Sequence, residues 1–62
     1  MNVYEMASQM TVRAQLNDHV NTTMAAAKEA LMTDPTPAGV NKAMAILDAA
    51  EARYTTLTAA LA

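Results

Sequence analysis

The chain has 62 residues, 53% of them hydrophobic but only 3% aromatic, with six Met, no Phe, no Trp and no Cys, and a formal charge of -2. That length holds one small domain, near the lower limit at which a chain buries enough apolar surface to fold alone. Without cysteine there is no disulfide framework and no cysteine zinc site. Four Lys+Arg against six Asp+Glu argue against a general binder of nucleic acid or anionic membranes.

The first ten residues carry Glu5 and no basic residue. They lack the charged start and apolar run of a cleaved secretion signal, and no apolar run approaches the length of a bilayer span. The expectation is a cytoplasmic protein, or one inside an assembly formed there. Asn21-Thr22-Thr23 fits a glycosylation sequon, but within a helix of such a chain it reads as coincidence.

A first helix is predicted over about residues 2–33, rich in Ala and other strong helix formers. Val3, Met6, Met10, Val20, Met24, Ala27 and Leu31 recur on one of its faces, interrupted there by Arg13 and Asn17. The chain then breaks at Thr33-Asp34-Pro35-Thr36-Pro37, with the single Gly at position 39. Two prolines so close cannot both lie inside a helix, and each pushes its predecessor toward an extended backbone. Thr36-Pro37 reads as an N-cap followed by proline at the first helical position.

A second helix is predicted over about residues 37–61. Val40, Leu47, Tyr54 and Leu61 recur every seven residues, with Ala43, Ala50 and Leu57 between them. So short a connection makes the helices antiparallel, and the predicted fold is an all-α helical hairpin. Folding back at Pro35 sets Leu31 level with Val40, Met24 with Leu47, Asn17 with Tyr54 and Met10 with Leu61. Arg13, Asn17 and Tyr54 then form a polar layer suited to fixing register, as one buried Asn does in coiled coils. The expected core of the hairpin and its dimer is Met10, Val20, Met24, Leu31, Val40, Leu47, Tyr54, Leu57 and Leu61. Helix 1 outruns helix 2, so residues 1–9 have no intrachain partner. Val3, Tyr4 and Met6 on that stub are the expected contact with a partner.

No constellation for catalysis is evident. His19 has only Gln15 and Thr23 one turn away and reads as a structural or solvated residue on a polar flank, not a ligand. Glu5, Asp18, Glu29, Asp34, Asp48 and Glu51 are scattered singly, without the paired placement of acid–base chemistry. The eight threonines have no adjacent base, and no Gly-rich loop is available for phosphate. The reading is therefore not an enzyme, with no cofactor, metal or small-molecule substrate.

Two helices bury one stripe each, and backbone ordering costs about 1–2 kcal/mol per residue, so a lone Ala/Met hairpin needs further support. Self-association supplies it, as a homodimeric four-helix bundle, a ring or a filament. The expected function is a small non-enzymatic adaptor, inhibitor or assembly protein that binds itself and another protein. The segment Ala30-Leu31 through Pro35-Thr36-Pro37 to Tyr54 resembles the hairpin turn of type III secretion needle subunits and their rod relatives. That resemblance implies, as an alternative, a structural subunit or chaperone, although the needle family continues past the position of Leu61 into the segment that polymerises. In length and layered pattern the hairpin is also similar to the Rop family of plasmid RNA regulators, which would imply RNA binding.

Overall fold

A computed structural model describes residues 2–61. It is an all-α hairpin of two helices, α1 (Val3–Thr33) and α2 (Pro37–Ala59). The N-cap of α1 is Asn2, whose Oδ1 accepts the Glu5 N–H at 2.8 Å. This satisfies one of the amide donors left free at any helix start. The helix closes at Asp34, where the backbone turns extended (φ -140, ψ 93) and the N–H still reaches the Ala30 carbonyl at 3.1 Å. Pro35 has no N–H with which to continue.

Thr36 precedes Pro37 as the N-cap of α2, but its side chain caps nothing in that helix. Its hydroxyl instead donates to the Asp34 carboxylate, and its backbone N–H donates to the same Oδ1 at 3.1 Å. Asp34 thus closes an Asx turn that sets the reversal. At its far end α2 stops at Ala59 rather than Leu61. The Leu61 N–H bonds to the Thr58 carbonyl at 3.1 Å, the tightened i→i−3 turn common at helix ends.

The seam between the helices is built from small residues near the loop and from mixed, larger ones toward its open end. On α1 the buried and half-buried positions are Gln9, Val12, Leu16, His19, Thr23, Ala26, Ala27 and Ala30. On α2 they are Gly39, Ala43, Ile46, Ala50 and Leu57, with Thr58 and Leu61 half-buried near its end. Both sets step by three and four residues, the spacing of a coiled-coil seam. Ala27, Ala30 and Ala43 form the core cluster, with Ile46 packed against it.

Gly39 shows how close the backbones come. A Cβ placed there would run into the Asp34 carbonyl oxygen and lie 2.7 Å from its carbon. The glycine has no positive φ, so it serves close approach rather than an unusual backbone angle.

This seam corrects the expected one. Ala43, Ala50 and Leu57 lie where the heptad pattern put them, and Leu61 is half-buried. Met10, Val20, Met24, Leu31, Val40, Leu47 and Tyr54 do not lie between the helices; all are exposed. On α1 nearly every inward position falls one residue before the expected one, and on α2 Gly39 and Ile46 replace Val40 and Leu47 in the same way. The reason is steric. Where Ala and Gly line both helices the backbones close up, leaving no room between them for Met, Leu or Tyr side chains. The large residues are displaced about 100° around each helix, onto a flank.

The molecule is accordingly a slab, with Cα extents of 51 × 16 × 9 Å, the thickness of a single helical layer. Among the described residues four apolar ones are buried, and three of them are alanines. No helix among the described residues is long and apolar enough to cross a membrane.

Candidate functional site

The displaced large residues gather on one side of the slab. In an antiparallel pair, moving one residue along from each seam rotates the two helices in opposite senses, so both sets arrive on the same flank. Val20, Met24 and Leu31 from α1 and Val40, Leu47 and Tyr54 from α2 stand there, between 37% and 58% exposed.

Two shallow grooves run along this flank. One, of about 360 Å³, is lined by Val20, Met24, Leu47 and Tyr54 with His19 at its floor. The other, of about 500 Å³, is lined by Met24, Leu31, Ala43 and Leu47 among others. Met24 and Leu47 belong to both, so the apolar face is continuous. The opposite flank is different in kind. It carries Ser8, Gln15, Asp18 and Thr22 on α1 and Lys42, Ala49 and Thr56 on α2, all exposed. Its depression beside the loop is bordered by Glu29, Asp34 and Lys42.

Met24 and Leu47 share a groove, as the predicted register requires. The register is also held by a contact that the sequence does not suggest. Of its two expected readings His19 takes the structural one: it is half-buried, and its Nε2 lies 2.9 Å from the Ala50 carbonyl oxygen. Since a carbonyl only accepts, Nε2 carries the proton. Position 19 falls in the three–four spacing with Val12, Leu16 and Thr23, the signal that could have placed it inward.

Arg13 and Asn17 are exposed on the same flank as the apolar face, and Tyr54 is half covered beside them. No hydrogen bond joins the side chains of Arg13, Asn17 and Tyr54 within the chain. Val3, Tyr4 and Met6 are 76%, 85% and 50% exposed on the turns of α1 that extend past the end of α2. Met1, the first residue of that stub, lies outside the described residues.

The hydroxyls of Thr11, Thr56 and Thr58 donate to carbonyls three or four residues back on their own helices. They satisfy themselves locally rather than line a reactive site. Among the described residues no three His, Cys, Asp or Glu side chains gather as a metal site would require. The chain matches no protein-family model, no curated protein and no solved structure.

Proposed function

We propose that this is a non-enzymatic interaction protein of the cytoplasm, or of an assembly formed there, whose apolar face is its working surface. The observation that supports this reading is the asymmetry of a one-layer slab. Stable domains bury their apolar faces between two or more layers. Here six large apolar side chains line one flank while the other is polar or small. A patch of that kind marks a contact with another macromolecule, and methionine suits an adaptable one.

The test is the double substitution Met24→Glu with Leu47→Glu. Neither side chain lies in the seam, so the hairpin should keep its helicity while association through the face is lost. Helical content by circular dichroism and mass by sedimentation report the two separately. Association that survives both charges would remove this surface from the function.

A further inference from the structure

Resting on that reading, we infer that the occupant of the apolar face is a second copy of this chain, packed two-fold with the loops at opposite ends. In this arrangement α1 lies antiparallel on the partner's α1, and each N-terminal stub covers the loop end of the other chain.

Surface area points to a layer of equal size. A compact monomer of 6.6 kDa exposes about 3,900 Å², whereas this chain exposes 4759 Å². The excess, about 900 Å², is close to the ~800 Å² that one partner contributes to a standard interface. One further copy on one flank therefore suffices.

The pattern on the face is self-complementary, as an isologous contact requires. The outward seam of α1 runs through residues 3, 6, 10, 13, 17, 20, 24 and 31; its seven-residue positions 3, 10, 17, 24 and 31 are symmetric about Asn17, and 6, 13 and 20 each reverse onto a position within about one residue of a seam position or of Ala27. Reversed upon itself, it sets Val3 on the partner's Leu31, Met10 on the partner's Met24, and Asn17 on the partner's Asn17. On α2, Leu47 and Leu61 are symmetric about Tyr54, which the register predicted from the turn sets level with Asn17, so Leu47 falls opposite the partner's Leu61. Both helices thus share one dyad. The polar pair Asn17 and Tyr54 sits on it, flanked by layers of Met and Leu.

Charge follows the same operation. Arg13 and Glu51 are the charged residues of these two seams. The dyad through Asn17 brings Arg13 within about one residue's rise (~1.5 Å) of the level of the partner's Glu51, so each charge has its opposite at nearly the same height across the bundle. Loops at the same end would set Val20 opposite the partner's Glu51. They would also leave Val3 and Met6 without a facing helix, since α2 ends short of them.

The full-length chain is tested for mass by sedimentation equilibrium. For orientation, pulsed electron resonance is applied to a spin label at Glu29→Cys, the only cysteine in the chain and on the far flank. The expected result is a dimer with labels about 40 Å apart, given the 1.5 Å rise per residue and two layers, that dissociates in the double-glutamate variant. A label distance below about 30 Å would overturn the opposed loops. A monomer at all concentrations, helical or not, would overturn the second copy while leaving a different protein as the partner. A dimer that persists with both glutamates in place would overturn the face itself, and the proposed function with it.

Discussion

His19 and Ala50 are joined across the hairpin, the imidazole Nε2–H donating to the Ala50 carbonyl oxygen at 2.9 Å. Among the described residues it is the one side-chain hydrogen bond that spans the two helices. It fixes where α2 stands along α1. Replacing His19 with Ala removes this bond and a half-buried ring. A net bond contributes about 1 kcal/mol, and lost packing adds to it, so the expected cost is about 1–2 kcal/mol. Urea unfolding measures it, and an unchanged midpoint would show that the bond plays no part in stability.

Gly39 faces Asp34 at the tightest point of the hairpin. Alanine elsewhere in a helix would stabilise by about 1 kcal/mol over glycine. Here the added methyl meets backbone atoms that cannot swing aside, so the helices must separate next to the Ala27, Ala30 and Ala43 cluster. Gly39→Ala should therefore destabilise by about 1–3 kcal/mol. A rise in melting temperature would mean that the helices part there without penalty.

The loop carries an acid-sensitive element. The Thr36 hydroxyl, and after it the Thr36 backbone N–H, hold the Asp34 carboxyl below its usual range. A carboxylate with a folded pKa below the unfolded value of about 3.9 contributes its stability fully above that value. The contribution fades as the pH falls through the folded pKa. Between about pH 5 and pH 2 the native chain should lose more thermal stability than Asp34→Asn, in which the position cannot titrate. The remaining carboxylates are common to both chains and cancel in the comparison. Parallel pH profiles would rule out the turn as the source.

Asn17 lies on the outward seam between Met10 and Met24. A polar residue there is unfavourable when covered, but it restricts which alignments can form. Asn17→Leu should raise the melting temperature and broaden the oligomeric population at the same time. Sizing with light scattering reads the second effect. A more stable protein that remains a single species would deprive Asn17 of a role in register.

Much of the architecture is legible in the residues themselves. Pro35 and Pro37 dictate one break, alanine-rich flanks dictate helices, and the brevity of the connection dictates that they run antiparallel. That Met24 and Leu47 share a groove follows from counting back from the turn. Asn2 as the first cap and Asp34 as the organiser of the turn depend on side-chain geometry that residue types only permit.

Tertiary packing alone decided which face turns inward. Heptad spacing is present on two adjacent faces of each helix, one lined by Met, Leu, Val and Tyr, the other by Ala, Gly and Thr near the loop together with Val12, Leu16, His19, Ile46 and Leu57. Hydrophobicity favours the first as the seam, because larger side chains bury more apolar area. Close approach of two backbones favours the second, because only small residues let the helices touch along their length. The second prevails within the chain, and the larger side chains are thereby left together on one flank of a slab one helix thick.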